Sequence, residues 1–128
     1  MIALALALAA AAPNAGQVEL TFDGVTTSHS AAACTTEAEG SMPARLLVQD
    51  MDVTLNAVRS DEMQMISLIK DNQNWGATRL FNGDSWTDKG QPGEPIVQEW
   101  GETIRVEAVL TSTQADGEKN ATLVARCP

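Results

Sequence analysis

Alternation of apolar and polar residues runs through most of this chain and predicts β-strands. Near the start, apolar residues alternate with polar ones over 18–22 and lead into Asp23-Gly24. An Asp-Gly pair between alternating segments is typical of a tight hairpin turn, because glycine tolerates the positive φ that such turns require. The pattern therefore predicts a strand over 18–22 and a return strand over 25–36.

A second hairpin is predicted near the C-terminus. Apolar residues occupy alternate positions over 104–110 and again over 121–127, and Asp116-Gly117 lies between the two segments. Cys127 falls on the apolar face of the second of these strands, so we expect its side chain to point into the core.

The middle of the chain contains further strands. Apolar residues share one parity over 44–48 and the other parity over 51–57, and the change at Gln49-Asp50 predicts a β-bulge or a short break. Residues 62–70 are apolar on both parities, as in a strand buried on both faces. Their apolar spacing also fits a helix, and we favour the strand.

Asn82-Gly83 is the clearest hairpin signal in the sequence. With those two residues as the turn, Arg79 lies opposite Trp86, where a guanidinium can stack on the indole ring. The side chains predicted to share this face are Trp75, Arg79, Phe81 and Trp86. Trp and Arg are enriched at binding hot spots, and aromatic platforms suit sugars, so this face is a candidate binding surface. The alternative is that the face is part of the core and that Arg79 extends past Trp86 to reach solvent.

These segments predict one all-β domain. About seven short strands separated by turn signals, with Pro92 and Pro95 marking a loop, favour an antiparallel β-sandwich or small barrel over a mixed sheet. Residues 17–128, about 112 in number, match the usual size of a single domain.

Residues 1–16 form an apolar, Ala-rich segment that resembles a signal peptide. The segment is too short to span a bilayer as a helix, and Ala9 and Ala11 fit the small-residue pattern of a cleavage site. A basic n-region is missing, and whether the segment is cleaved stays open. We expect export to the periplasm, the cell envelope or the extracellular space.

Cys34 and Cys127 are the only two cysteines. In an exported chain, two cysteines indicate one disulfide, which would close the β domain. Two buried free thiols are the alternative. Together with a single histidine, two isolated cysteines offer too few ligands for a closed zinc site, so we expect no tight transition-metal site and no cofactor.

Short motifs at the two ends of the chain resemble a known family. They are Phe22-Asp23-Gly24, Cys34-Thr35-Thr36 and Arg126-Cys127-Pro128. Their order and the spacing between the cysteines are similar to those of the mycobacterial small secreted lipoprotein-antigen family. The resemblance implies a non-enzymatic surface antigen or adhesin with a disulfide between Cys34 and Cys127.

Charge limits the partners that the chain can bind. The sequence carries 8 Lys and Arg against 17 Asp and Glu, a formal net charge of -9, and its basic residues are scattered singly. Nucleic acid and anionic membranes both require clustered cations, so we expect neither as a partner. Acidity suits solubility or a basic protein partner.

Few residues indicate chemistry. We expect His29 to be an exposed strand residue, because Ser28 and Ser30 point to the opposite face and cannot form a relay with it. Asp50 and Asp52 would share one strand face, where they could serve acid–base chemistry or bind Ca²⁺, although surface strands often carry such pairs. Residues 71–76 partly match a calcium loop but fit a turn better.

Three functions follow from this pattern. The leading hypothesis is a non-catalytic exported or cell-envelope protein that binds a protein or a carbohydrate. The alternatives are an acidic secreted inhibitor of a basic enzyme such as a lysozyme, and a hydrolase that uses a pair of carboxylates. The sequence leaves the ligand and the oligomeric state open.

Overall fold

The computed structural model describes residues 13–128. Most of the signal-peptide-like segment, residues 1–12, lies outside the described residues. Those described form twelve β-strands and no helix. The strands are β1 (Gln17–Phe22), β2 (Val25–Ser30), β3 (Ala33–Cys34), β4 (Ala44–Gln49), β5 (Val53–Arg59), β6 (Met63–Lys70), β7 (Gln73–Phe81), β8 (Trp86–Asp88), β9 (Gln91–Pro92), β10 (Val97–Trp100), β11 (Thr103–Thr111) and β12 (Glu118–Arg126).

The strands form one antiparallel sheet that curls into a half-barrel. Its main order is β2-β1-β12-β11-β7-β6-β5-β4-β3, with β10 paired to β11 and β8 lying between β7 and β9. This confirms the predicted all-β antiparallel class. The structure has twelve strands where about seven were predicted. Three of the twelve, β3, β8 and β9, contain only two or three residues each, too few to show an alternating pattern.

The core lies on one face of the curled sheet. Each long strand contributes alternate residues to it, as in β4, where Ala44, Leu46 and Val48 are buried and the residues between them are half-buried. The largest fully buried side chains are Leu20, Leu46, Leu55, Ile66, Leu68, Ile96, Ile104, Leu110 and Leu123. Burial of each such side chain contributes about 1.5–3 kcal/mol to folding, so the period-two pattern supplies the main stabilisation.

Three tight turns join neighbouring strands as type I′ hairpins, one of them Lys89-Gly90 between β8 and β9, with φ values of 53° and 82°. Asp23 and Gly24 have φ values of 53° and 85°, and Asp71 and Asn72 have φ values of 54° and 63°. Positive φ at both central residues matches the right-handed twist of the flanking strands. The first turn confirms the Asp-Gly prediction. In the segment 71–76, only the first two residues form the predicted turn, because β7 begins at Gln73.

The hairpin at Asn82-Gly83 exists, but its predicted register is wrong by two residues. Phe81, not Arg79, lies opposite Trp86. Gly83 has a φ of 94°, whereas Asn82 does not take the positive φ that a two-residue I′ turn needs. Instead, Asn82 Oδ1 accepts hydrogen bonds from the backbone N–H groups of Asp84 and Ser85, at 3.0 and 2.9 Å, which gives a four-residue loop.

The central strands confirm one expectation and correct another. The parity change at Gln49-Asp50 is a short break, one of the two predicted alternatives, since β4 ends at Gln49 and Met51 lies fully exposed in the turn before β5. β6 is a strand, as predicted, but it is not buried on both faces. Its buried residues include Ile66 and Leu68, whereas Met65 on the other face is half-buried. A single curled layer leaves that outer face without a covering element.

The disulfide between Cys34 and Cys127 is present, as predicted, with Cα atoms 5.4 Å apart and a sequence separation of 93. It joins β3, at the edge of the sheet, to the residue that follows β12. Closure of a loop of this length stabilises the fold by roughly 4–5 kcal/mol in the chain-entropy model. Such a bond is typical of a chain that folds in an oxidising, exported environment. Within residues 13–128, no helix is long and apolar enough to cross a membrane.

Candidate functional site

A cavity of about 570 Å³, here called the cleft, opens where two strands separate. In the described part of the chain, β11 meets β7 at a single register pair, Thr111 with Gly76. Further along the same edge of β7, from Leu80 onward, the paired strand is β8. The segment of β7 between these two pairings therefore borders a gap instead of a neighbouring strand.

The cleft combines exposed apolar side chains with charged ones. Leu80 is 52% exposed and Val109 is 46% exposed, and both line the cleft together with Met65. Arg79 forms an ion pair with Asp88 at 3.2 Å. Cavities that bind ligands typically measure about 300–1,000 Å³ and combine apolar walls with a few polar groups. The cleft fits that description.

The predicted binding face is divided between the core and the surface. Trp75 is 3% exposed and packs edge-to-face on Phe22, with ring centroids 5.7 Å apart. A cation also lies over this side chain, since Lys119 Nζ is 5.4 Å from the centroid of a Trp75 ring. Trp75 still lines one wall of the cleft. It therefore acts as a core residue whose edge reaches the cavity.

The other three members of that face are half-buried. Phe81 and Trp86 pack on each other, with centroids 5.1 Å apart and an interplanar angle of 51°. Arg79 Nε donates to the carbonyl oxygen of Glu94 at 2.8 Å. The guanidinium is thus held by Asp88 and Glu94, and the predicted pairing of Arg79 with Trp86 is replaced by the Phe81–Trp86 pair. Arg79 lines the cleft, whereas the two rings lie beyond its wall.

A second cavity, of about 340 Å³, lies between the β1–β2 hairpin and the turn that joins β4 to β5. We call it the His29 pocket. Its apolar wall includes Leu20, Phe22 and Val53, and Lys70 also lines it. The remaining polar residues converge around His29.

The expectation that His29 is exposed is wrong. Its side chain is 7% exposed, and Nδ1 lies 2.5 Å from Asp50 Oδ2. On the other side of the ring, Nε2 lies 2.7 Å from Thr27 Oγ1. The side chains of Ser28 and Ser30 do not take part, as expected. Thr27 is two residues from His29 and so shares its strand face, a signal in the alternation of this strand from which Thr27 was not identified. The contact with Asp50, 21 residues away, depends on how the two hairpins meet.

Asp50 is fixed by its own turn. Its Oδ1 accepts hydrogen bonds from the backbone N–H groups of Asp52 and Val53, at 2.9 and 2.8 Å. The hydrogen bond with His29, followed by that from Val53, holds the pKa of the Asp50 carboxyl below its usual range. Asp50 and Asp52 therefore lie in a turn, not on one strand face as predicted. The Asp50 carboxylate is engaged by His29 and by the backbone.

One buried polar residue was not identified from the sequence. Gln64 is 7% exposed, and its Oε1 accepts hydrogen bonds from the backbone N–H groups of Ile96 and Val97, at 2.9 and 3.0 Å. It fixes the start of β10 against β6. A single amide side chain among the apolar residues of 62–70 was the available signal. Over residues 13–128, no group of three or more His, Cys, Asp or Glu side chains is placed to hold a metal ion.

Comparison with known proteins does not assign a family. No family model matches the chain, and searches of curated proteins and of solved structures found no significant match. The resemblance of the two chain ends to the mycobacterial antigen family stays a prediction. Function is therefore argued from the two cavities.

Proposed function

We propose that this chain is an exported binding protein of the cell envelope or extracellular space whose cleft holds a segment of a basic protein without catalysing a reaction on it. The cleft itself carries the proposal. It has the volume of a ligand site and leaves Leu80 and Val109 about half exposed at its wall. Exposed apolar side chains that line a concavity are favourable binding surface, since covering them removes apolar area from water.

An extended peptide fits the backbone as well as the side chains. Between Gly76 and Leu80, β7 borders the gap on the side away from β6. Extended peptides often bind by lying along such a strand edge, where main-chain hydrogen bonds contribute affinity and pockets select alternate side chains. The apolar side chains of such a peptide would contact Met65, Leu80 and Val109.

The charge of the whole chain favours a basic partner. At the cleft, Arg79 and Lys89 face Asp88 and Glu118, so local charges are balanced. The net charge of -9 then sets the sign of the long-range field. A field of this sign increases the association rate of cationic partners and becomes weaker as salt is added. Inhibition of a basic secreted enzyme is one form that such binding can take.

A carbohydrate is the less favoured ligand. Stacking on a sugar requires an aromatic ring with an open face. Phe81 and Trp86 are half-buried and tilted against each other, and Trp75 is part of the core. The aromatic residues therefore serve packing more than they offer a platform.

Methyl NMR tests the proposal directly. The probe is a synthetic hexapeptide, Lys-Leu-Lys-Leu-Lys-Leu, titrated into protein labelled at Val, Leu and Met methyl groups. We expect chemical shifts to change at Met65, Leu80 and Val109, with affinity that falls as salt is raised. Shift changes centred on Val25, which is 62% exposed on β2, would contradict the proposal.

A pair of matched variants supplies the control. Val109→Lys places a cation in the cleft and should weaken binding of the peptide at least about 10-fold, equivalent to about 1.4 kcal/mol. Val25→Lys makes the same change at an exposed position outside the cleft and should leave the affinity within about 2-fold of wild type, under 0.5 kcal/mol. Equal affinities for the two variants would refute a role for the cleft.

A further inference from the structure

We propose that Thr27 is an activated hydroxyl nucleophile, with His29 as its general base and Asp50 as the residue that positions the base, and that it reacts with esters of short apolar acyl groups bound in the His29 pocket. This activity does not depend on the binding proposed for the cleft. The two cavities have no lining residue in common, so each proposal can fail without the other.

The order of the hydrogen bonds is the one that hydroxyl activation requires. A base must contact the hydroxyl through one ring nitrogen and be oriented through the other by a third group. His29 Nε2 lies 2.7 Å from Thr27 Oγ1, and His29 Nδ1 lies 2.5 Å from Asp50 Oδ2. Both distances are short enough for hydrogen bonds. Each nitrogen of the His29 ring therefore has a hydrogen-bond partner.

The relay is held in place by its surroundings. Thr27 and His29 share one face of β2, which is paired with β1 along its whole length. Asp50 is fixed by two backbone N–H groups in the β4–β5 turn, and only 7% of the His29 side chain is exposed. Fixed geometry of this kind reduces the reorganisation needed before a proton is transferred.

The charge of the Asp50 carboxylate decides which nitrogen of His29 carries the proton. The Asp50 carboxyl has a lowered pKa and is therefore ionised at neutral pH. An ionised carboxylate can only accept, so His29 Nδ1 carries the donated proton and Nε2 is left with a lone pair toward Thr27 in the neutral ring. That tautomer is the one in which Nε2 can take the proton of the hydroxyl.

The neighbouring pocket suits the substrate class. Its volume of about 340 Å³ is at the small end for ligand sites. Leu20, Phe22 and Val53 give it an apolar wall for an acyl chain. Lys70, which lines the same pocket, supplies a positive charge for the oxyanion that forms as the carbonyl is attacked.

The step is an acyl transfer with water as the final acceptor. Thr27 Oγ1 bonds to the ester carbonyl carbon while its proton moves to His29 Nε2. The carbon–oxygen bond to the alcohol then breaks, and the alcohol leaves with the proton from His29. Water, activated by the same nitrogen, releases the acid and restores the threonine hydroxyl. No oxidant or metal is needed.

The test uses p-nitrophenyl acetate, with release of p-nitrophenolate and the mass of the protein followed together. We expect wild type to gain one acetyl group, on Thr27, and to release p-nitrophenolate about 100-fold faster than Thr27→Val or His29→Gln, since general-base catalysis contributes about 10²–10⁴-fold. Thr27→Ser should keep the activity. Ser30→Ala, which removes a neighbouring hydroxyl on the opposite strand face that does not line the pocket, should leave it unchanged.

Asp50 is tested as a positioning residue. Asp50→Asn should lower the rate and alter its pH profile, while acetylation, where it occurs, stays on Thr27. The conservative variants Thr27→Val and Thr27→Ser keep the test valid even if His29→Gln unfolds the protein. Acetyl groups found on Lys70 or other lysines instead of Thr27, or equal rates for wild type and Thr27→Val, would overturn the proposal.

Discussion

The cleft and the His29 pocket lie on either side of one aromatic contact and arise in different ways. Trp75 lines the cleft, Phe22 lines the pocket, and the two rings pack edge-to-face. The cleft exists because two strands part, so its walls are apolar side chains without a neighbour. The pocket forms beside β2, an edge strand paired only with β1 in the described sheet, where polar side chains converge from two hairpins. A gap between strands suits ligands of varied side chains, whereas polar side chains held at fixed distances suit one specific reaction.

The largest effect on stability is expected when the side chain of Trp75, which lies between the two cavities, is removed. Trp75→Ala should lower the free energy of unfolding by about 3–5 kcal/mol, because it deletes a large side chain that is 3% exposed. Chemical denaturation followed by circular dichroism measures this. Trp86→Ala is the matched control, and since Trp86 is only half-buried it should cost less than half as much. Equal losses for the two variants would mean that Trp75 is not the central core aromatic residue.

A smaller loss of stability is expected from a substitution in the His29 pocket. Asp50→Asn keeps an oxygen that can cap the β4–β5 turn but loses the charged acceptor for His29. We expect the free energy of unfolding to fall by about 1 kcal/mol. This is below the usual value for a hydrogen bond to a charged group, because the Asp50 side chain is 39% exposed and solvent screens its charge. Since the pKa of Asp50 is lowered by folding, its carboxylate stabilises the fold above the pKa of the unfolded chain, about 3.9. That contribution is lost as the pH falls through the lower folded value.

The pH dependence gives the measurement. Denaturation midpoints of wild type and Asp50→Asn should converge as the pH is lowered from 5 toward 3, roughly the range in which an aspartate titrates. The cleft variant Val109→Lys, which lies away from Asp50, should keep the wild-type dependence in this range. A constant difference between wild type and Asp50→Asn across that range would show that the ionised carboxylate does not stabilise the fold.

The smallest effect is expected in the cleft. Val109→Thr replaces a methyl group with a hydroxyl at a strand position that is 46% exposed, and exposed substitutions usually change stability by less than about 0.5 kcal/mol. The same change at buried Val106 should cost more, because its hydroxyl would be buried. A large loss for Val109→Thr, measured by thermal unfolding, would mean that the cleft wall is part of the packed core.

The sequence predicted what depends on local rules. Asp23-Gly24 identified a hairpin because the turn type is set by two adjacent residues, and Cys34 and Cys127 could be paired because the chain offers one combination. The register at Asn82-Gly83 was wrong because the Asn82 side chain, which accepts two backbone hydrogen bonds, decided the loop length. His29 was misplaced because its partner comes from another hairpin. The cleft was not foreseen either, since alternation shows where strands run but not where two of them part.

The position of the disulfide also decides how the domain would respond to tension. Cys127 is adjacent to Pro128, and it is bonded to Cys34. A pull applied at Gln17 and Pro128 would pass through the sulfur–sulfur bond and bypass everything from 35 to 126. Only the chain from Gln17 to Cys34 could be drawn out, a gain of at most roughly 60 Å at 3.3–3.6 Å per residue. Nine of the twelve strands would stay shielded from the load.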